Sequence, residues 1–209
     1  MTDSFRKLAT HDLQQMQPRY RAMLVNSLSG YKSANLLGTI SASGCSNLAM
    51  ISSVFHLGAD PALLGMIMRP HTVTRDSLEN LLATGDYTLN HVHPDMLQAA
   101  HQSSARYEPE VSEFEAVGLT AQFTDAFTAP YVQESRLKIG LQLVETQTLQ
   151  VNGTVLVIGQ VVELLLPPDV IAEDGHVHIE QLQTMAVSGL DHYHLGSSHG
   201  RLAYAKPDG

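Results

Sequence analysis

The chain of 209 residues contains no tryptophan, one cysteine and few basic residues. The scarcity of cysteine and of basic residues excludes several classes of function. The single Cys45 cannot form an internal disulfide, as is usual in reducing compartments. It follows Gly44 in a predicted turn, so we do not expect it to act as a nucleophile. The 12 Lys and Arg against 21 Asp and Glu give a net charge of -9, which argues against binding to nucleic acid or anionic membranes.

Long apolar runs and common nucleotide motifs are also missing. No stretch approaches the roughly 18 uncharged apolar residues of a membrane-spanning helix. The first residues, MTDSFRKLATHDLQQ, lack the basic, apolar and small-residue order of a signal peptide, so we expect a cytoplasmic protein. The chain has no GxGxxG between a strand and a helix, no P-loop and no GxSxG elbow, which argues against a Rossmann site, a P-loop enzyme and an α/β-hydrolase.

The apolar residues are arranged mainly as in β-strands. Between residues 136 and 151, Leu137, Ile139, Leu141 and Leu143 alternate with polar or small residues, which predicts a half-buried strand. Other strands are predicted over Leu36–Ser41, Asn47–Phe55, Leu63–Arg69, 86–93 and 154–166. Short helices are predicted over 76–85, where Asp76 and Glu79 have capping-box spacing, and over 94–107.

Long antiparallel strands with short helices between them are typical of a mainly β (α+β) protein. They favour a barrel over a doubly wound sheet. We expect residues 108–128 to form a loop with a helical turn or two. Residues 1–30 are predicted to form a peripheral helix and arm, and residues 31–209 a single domain.

Three HxH pairs occur among the eleven histidines: His91 with His93, His176 with His178, and His192 with His194. Residues i and i+2 of a strand share a face, so each pair can present two imidazoles to one metal ion. A zinc site usually needs a third protein ligand, and none stands at a familiar spacing. A histidine-based metal-binding barrel is therefore only a remote alternative.

One short basic segment, RPHTVTRD at residues 69–76, contrasts with the acidic chain. Arg69 and Arg75 can form bidentate, charge-assisted hydrogen bonds with phosphate oxygens, and the hydroxyls of Thr72 and Thr74 can add donors. A helix beginning at the end of this segment would point its free N–H groups at the same place. A solvated loop and a site for one small phosphate-bearing ligand both fit this composition.

The order of several motifs is recognisable along most of the chain. CSNLAMISS is followed by a strand, by MRPHTVTRDSLENLLATGDYTLN, and then by SEFEAVGLT, APYVQESRLKIGLQL, GTVLVIGQVVEL and SGLDHYHLG. From about Gly38 to Gly196 this order resembles the flavin reductase-like family of FMN-binding split barrels. The resemblance implies a split β-barrel, a homodimer with FMN at its interface, and NADH or NADPH as the hydride donor.

The resemblance also implies a set of cofactor-binding residues. The family's flavin strand and turn fall on Asn47, Leu48, Ala49, Met50, Ser52 and Ser53. Its phosphate-binding turn falls on Arg69, His71, Thr72, Thr74 and Arg75, with Asn80 in the following helix. Further positions implied to approach the cofactor are Asn90, His91, Ser103, Ser104 and Tyr193.

Three positions depart from the family's pattern. Met50 stands where members often have Pro, Ser77 stands where they have Thr, and Gly189 with Leu190 stands where they have a Gly pair. We expect the first two changes to be tolerated. The third lies close to Tyr193 and leaves the implied role of that residue open.

The implied activity is that of an NAD(P)H-dependent flavin reductase, which transfers a hydride from nicotinamide to FMN. This transfer needs stacking geometry and electrostatic support more than an acid or base, so we expect no catalytic side chain from the protein. His71 or His91 are candidates for tuning the charge of reduced flavin. The alternative is an FMN-binding electron-transfer protein that keeps its flavin and reduces another acceptor, such as a partner oxygenase.

Overall fold

The computed structural model describes residues 5–71, 76–108, 111–125 and 127–207. Three of the predicted phosphate contacts, Thr72, Thr74 and Arg75, lie outside these ranges. Within the described ranges, no helix is long and apolar enough to cross a membrane.

The described residues form five α-helices, two single-turn 3-10 helices and twelve strands, and strands predominate. The helices are α1 (Thr10–Gln15), α2 (Pro18–Ser27), α3 (Asp76–Thr84), α4 (Leu97–Gln102) and α5 (Glu113–Val117). The strands are β1 (Lys32–Ser33), β2 (Asn35–Ile40), β3 (Ser46–Ile51), β4 (Val54–Ala59), β5 (Ala62–Met68), β6 (Asp86–His91), β7 (Ala121–Thr124), β8 (Phe127–Val132), β9 (Lys138–Thr148), β10 (Val155–Leu165), β11 (Met185–Ser188) and β12 (His192–Leu195). The protein is therefore mainly β with short helices, as the sequence predicts.

A seven-stranded antiparallel sheet, in the order β3-β2-β6-β9-β10-β5-β4, forms the body of the structure. Its two outer strands are neighbours in sequence, because only Ser52 and Ser53 separate β3 from β4. At about 4.8 Å per strand, a flat sheet of this width would hold its outer strands about 29 Å apart. Three residue steps span only about 10 Å, so the sheet must curl until its edges approach each other.

The curled sheet remains open in its hydrogen bonding. Among the described residues, β3 pairs only with β2, and β4 pairs only with β5. A closed barrel, which the sequence favours, is therefore not formed by these ladders. Two smaller sheets accompany the large one: β1-β11-β12 and β7-β8.

At β2 the sheet is buried on both faces, and helices near the sheet edge pack against one of them. Successive residues of β2 point to opposite sides, so Leu37 joins one core cluster and Leu36 the other. The second cluster includes Ala100 of α4 and Phe114 of α5. Packing of these two short helices against β3 brings their polar residues to the edge of the sheet.

Gly159 allows the side chain of Tyr87 to pack directly against the main chain of the curled sheet. A Cβ built on Gly159 would overlap the hydroxyl of Tyr87, a side chain that is almost completely buried. The β9–β10 ladder also shifts register between Ile158 and Gly159. Glycine within a strand commonly marks such an irregularity or a close approach of another group, and Gly159 does both.

Several predicted boundaries differ from the structure. The predicted strand Asn47–Phe55 is two strands, because the chain leaves one sheet edge at Ile51 and enters the other at Val54. The predicted loop over 108–128 contains α5, β7 and the start of β8. The helix predicted over 94–107 is a 3-10 turn at Pro94–Met96 followed by α4. Asp76 is already helical, so it does not act as the N-cap of α3.

The N-terminal helices α1 and α2 contain no buried residue. Pro18 does not interrupt a helix but occupies the first turn of α2, where the missing N–H costs nothing.

Candidate functional site

A cavity of about 980 Å³ opens beside the junction between β3 and β4. Its wall is built from the edge of β3, the end of β5, the segment that follows α4, and β12 with the turn before it. This size lies at the upper end of the range for small-molecule and cofactor sites. The sequence-predicted residues that line it are Asn47, Leu48, Ala49, Met50, Ser52, Ser53, Arg69, Ser103, Ser104 and Tyr193.

The outward edge of β3 presents main-chain groups at the cavity. The N–H of Leu48 points away from β2, because it donates to Oε2 of Glu113 at 3.0 Å. Backbone groups alternate along an antiparallel strand, so the N–H and C=O of Met50 also point away from β2. No strand pairs with this edge among the described residues. The edge therefore offers a donor and an acceptor to the rim of a ligand.

Both polar atoms of the Asn47 side chain are hydrogen-bonded to other residues of the protein. Its Oδ1 accepts from Oγ of Ser77 at 2.6 Å and from Oγ1 of Thr39 at 3.1 Å. Its Nδ2 donates to Oε2 of Glu113 at 2.9 Å. Asn47 thus links β2, β3, α3 and α5, and its amide fixes the strand rather than projecting a free donor into the cavity. Ser77, the departure from threonine, retains the hydroxyl that this network uses.

Glu113 is the principal wall residue that the sequence did not single out. One carboxylate oxygen, Oε2, accepts both the Asn47 amide and the Leu48 N–H. Burial raises the pKa of Glu113, while these hydrogen bonds oppose the rise and nearby Asp76 adds to it. The SEFE segment signals only the start of a helix. Nothing in it indicates contact with a strand 65 residues earlier.

Two arginines, Arg69 and Arg106, provide positive charge on the wall. Neither forms an ion pair within the described part of the chain. An unpaired guanidinium beside a cavity is suited to bidentate binding of phosphate or carboxylate. Arg106 was not predicted: it lies in the irregular segment after α4, and the family pattern pointed only to Ser103 and Ser104 in this segment.

A tyrosine and a histidine meet on the cavity wall. Nδ1 of His101 lies 2.8 Å from the hydroxyl of Tyr193, and the two rings meet edge to face. Burial raises the pKa of Tyr193, and the carboxylate of Asp191 raises it further. The phenol therefore stays protonated at neutral pH and can donate or accept a hydrogen bond at the cavity.

Asn90 and His91 lie away from the cavity wall. Nδ2 of Asn90 donates to the carbonyl of Leu36 at 3.1 Å, and its Oδ1 accepts the N–H of Val132 at 2.9 Å. Asn90 is completely buried and joins β6 to its neighbouring strands. His91 contacts Oγ1 of Thr184 through Nδ1 at 3.1 Å, and burial lowers its pKa to about 4. At neutral pH His91 is uncharged and supplies no positive charge.

Asn80 and His71 also lie outside the cavity lining. Nδ2 of Asn80 donates to Oγ1 of Thr39 at 3.3 Å, which places Asn80 next to the Asn47 network. Nε2 of His71 lies 2.9 Å from Oε1 of Glu79 on α3. His71 is thus engaged with the helix that follows the predicted phosphate-binding turn.

The histidine pairs do not assemble a metal centre within the described ranges, where no three His, Cys, Asp or Glu side chains are grouped suitably. The rings of His192 and His194 are 4.6 Å apart, but Nε2 of His194 bonds with Oγ of Ser188. The rings of His176 and His178 are 5.5 Å apart, edge to face. These contacts lend no support to the metal-binding alternative.

The sequence profile described as the flavin reductase like domain matches residues 29–182. The chain belongs to the flavin reductase like family. A solved structure from Shewanella frigidimarina NCIMB 400, proposed to be a flavin reductase with a split barrel domain, is 46% identical to it. That match covers 96% of this chain and 100% of the other, with a TM-score of 0.93.

Two more distant structures share the fold of this flavin reductase like chain. Nitrilotriacetate monooxygenase component B from Bacillus cereus is 17% identical, with a TM-score of 0.84 and coverage of 96% of this chain and 100% of the other. An FMN-binding protein from Thermus thermophilus is 17% identical, with a TM-score of 0.70 and coverage of 96% and 99%.

The cavity of this flavin reductase like protein fits the flavin that the sequence resemblance implies. The ring edge of a flavin carries carbonyl and nitrogen acceptors, and the exposed edge of β3 offers main-chain hydrogen-bond partners. Ala49, Ser52 and Ser53 have small side chains, which allow a flat ring to approach the backbone. Arg69 supplies a cation on the wall that suits a terminal phosphate.

Proposed function

We propose that this protein is an FMN-binding oxidoreductase, an NAD(P)H-dependent flavin reductase that transfers a hydride from nicotinamide to FMN. The observation that carries the proposal is the exposed edge of β3 together with Arg69, which has no ion-pair partner among the described residues, on one cavity. Family membership supports a flavin reaction, and the FMN-binding protein of the same fold supports FMN as the flavin.

The protein's part in this reaction is to bind and orient. Bound FMN supplies a ring that accepts a hydride and passes it on. The edge of β3 holds the rim of the ring, and Ser52 and Ser53 allow close approach. Arg69, with Thr72, Thr74 and Arg75 of the same basic segment, holds the phosphate. No side chain is required as an acid or base, because positioning and electrostatics carry the transfer.

The visible absorption of the purified protein tests the proposal. We expect the spectrum of oxidised flavin after FMN is added and excess ligand removed, and oxidation of NADH or NADPH when FMN is present. Both donors are assayed, because no separate dinucleotide motif distinguishes them. Protein that neither binds FMN nor oxidises either nucleotide in its presence would contradict the proposal.

A second candidate is an FMN-binding protein that keeps its flavin and passes electrons to another acceptor. The Thermus thermophilus neighbour, named for FMN binding alone, favours it. Stoichiometric FMN that survives gel filtration, with negligible turnover of added free flavin, would select this candidate. The component B neighbour supports an oxygenase among the acceptors. Faster nucleotide oxidation on addition of an oxygenase would identify such a partner.

The proposal includes a homodimer. Adjacent strands β9 and β10 expose Val144, Val162 and Leu164, each about half accessible to solvent. Burial of these side chains against a second copy would remove apolar surface from water. Light scattering should give twice the monomer mass, and Val162→Glu should reduce it. Val151→Glu is the control, because Val151 is exposed at the turn between the two strands.

A further inference from the structure

Glu113 joins the cavity wall to the main chain of the predicted flavin strand. Its Oε2 accepts the N–H of Leu48 at 3.0 Å and Nδ2 of Asn47 at 2.9 Å. The carboxylate lines the cavity and is half-buried. A negative charge is thus held beside β3. Met50 is the next residue of β3 whose main-chain groups point away from β2, and it lines the same cavity.

Hydrogen bonding alone does not require this charge. Both partners of Glu113 are donors, so the carbonyl oxygen of a glutamine would accept the same two bonds. The charge also has a cost: burial raises the pKa of Glu113, and Asp76, another carboxylate on the wall, raises it further. A charge that is unnecessary for the contact and unfavourable for stability points to a functional role.

The ligand of this cavity changes charge during the proposed reaction. Hydride transfer converts the nicotinamide to its oxidised, cationic form and adds two electrons and one hydrogen to the flavin. The oxidised ring is neutral, whereas the reduced ring carries a negative charge at neutral pH. A fixed carboxylate on the wall repels the reduced form and leaves the oxidised form nearly unaffected.

We propose that Glu113 is a positioning residue that orders the β3 edge and also lowers the reduction potential of the bound flavin. The inference rests on the proposed function. The charge of Glu113 makes the reduced flavin a stronger electron donor to its acceptor. Arg69 and Arg106, the cations of the same wall, hold anionic groups of the ligands and limit this repulsion.

The test compares three variants by FMN affinity, midpoint potential and melting temperature. Glu113→Gln removes the charge and keeps the acceptor, whereas Glu113→Ala removes both. Glu115→Gln is the matched control, because Glu115 is an exposed residue of the same helix and does not line the cavity. Kd is measured for oxidised FMN in air and for reduced FMN under anaerobic conditions.

We expect Glu113→Gln to bind oxidised FMN within about threefold of the wild type and reduced FMN about tenfold more tightly. A tenfold change in this ratio corresponds to a rise in midpoint potential of about 30 mV for a two-electron couple. Glu113→Ala should lower the melting temperature and weaken the binding of oxidised FMN, because the tie to Leu48 is lost, and it should raise the midpoint potential as Glu113→Gln does, because the charge is lost as well. Glu115→Gln should match the wild type.

The outcomes separate this inference from the proposed function. FMN binding by all variants with an unchanged potential in Glu113→Gln would overturn the role of the charge while leaving the proposed function intact. An equal potential shift in Glu115→Gln would also overturn it, because any surface carboxylate would then act alike. Absence of FMN binding in the wild type would overturn both proposals together.

Discussion

The hydroxyl of Tyr193 lies 2.8 Å from Nδ1 of His101, although 92 residues separate them in the chain. The contact joins β12 to α4 across one wall of the cavity. It also gives a defined position to a tyrosine whose role the sequence left open, because the glycine pair expected before it is replaced by Gly189 and Leu190.

This contact should appear as a coupling energy in a double-mutant cycle. Tyr193→Phe and His101→Ala each remove one partner of the hydrogen bond, and the double variant removes both. We expect a coupling of about 0.5–1.5 kcal/mol in the free energy of unfolding, measured by urea denaturation. Additive effects of the two changes would show that the pair contributes nothing to stability.

Replacement of the arginines should reveal the phosphate site. Arg69→Ala and Arg75→Ala are each expected to weaken FMN binding by about 1–3 kcal/mol, the range for losing a hydrogen bond to a charged group. Riboflavin lacks the phosphate, so its affinity should change much less. Isothermal titration with both ligands measures the difference. Arg201→Ala is the control, since Arg201 pairs with Asp174 away from this cavity. Equal losses for both ligands would remove phosphate binding as the role of these arginines.

Gly159→Ala should destabilise the curled sheet. The added methyl group would overlap the buried Tyr87 ring, and such overpacking typically costs about 1–3 kcal/mol. Tyr87→Leu in the same chain shortens the opposing side chain and should recover part of the loss relative to Gly159→Ala alone. Thermal unfolding gives the comparison. Gly196→Ala, where a Cβ meets nothing within 4 Å, is the control. A melting temperature unchanged by Gly159→Ala would contradict the packing described.

His91 should make stability depend on pH in a defined direction. Its pKa falls from 6.5 to about 4 on burial, so the unfolded chain binds a proton more readily between these values. The stability supplied by neutral His91 is therefore complete above about pH 6.5 and is lost as pH falls toward 4, by up to about 3 kcal/mol. His91→Gln should flatten this part of the pH–stability curve, measured by urea unfolding.

Exposed His192 provides the control for the loss of a histidine. His192→Gln should leave the slope between pH 6.5 and 4 close to that of the wild type. A slope that is identical in His91→Gln and the wild type would show that His91 is not the group responsible.

Local patterns in the sequence were sufficient for the long strands and for part of the cavity wall. Alternation in β9 and the continuous apolar run of β10 identify both strands within a few residues, because side-chain period and β-branching are local properties. The NLAMISS and RPHTVTRD segments, taken with the order of the surrounding motifs, indicated residues that line the cavity, among them Ala49, Ser52 and Arg69.

The division of Asn47–Phe55 into two strands could not be read from the same local pattern. The residues on both sides of Ser52 and Ser53 favour extended structure equally, and only the curl of the whole sheet places a sheet edge on each side. The four-residue strands β11 and β12 were likewise missed, because their pairing with each other and with β1 depends on long-range contacts.

The sequence by itself determined the mainly β architecture and the family, since these depend on periodicity and motif order. Only the tertiary structure decided which polar groups reach the cavity. Asn47 and Asn90 are both asparagines of predicted strands, and both were implied to bind the cofactor. Asn47 lies on the cavity wall with its side-chain amide hydrogen-bonded to other residues, whereas Asn90 is buried and joins neighbouring strands. Glu113, Arg106 and the His101–Tyr193 pair enter the site because distant segments pack against β3, and contacts of that kind leave no local pattern in a single sequence.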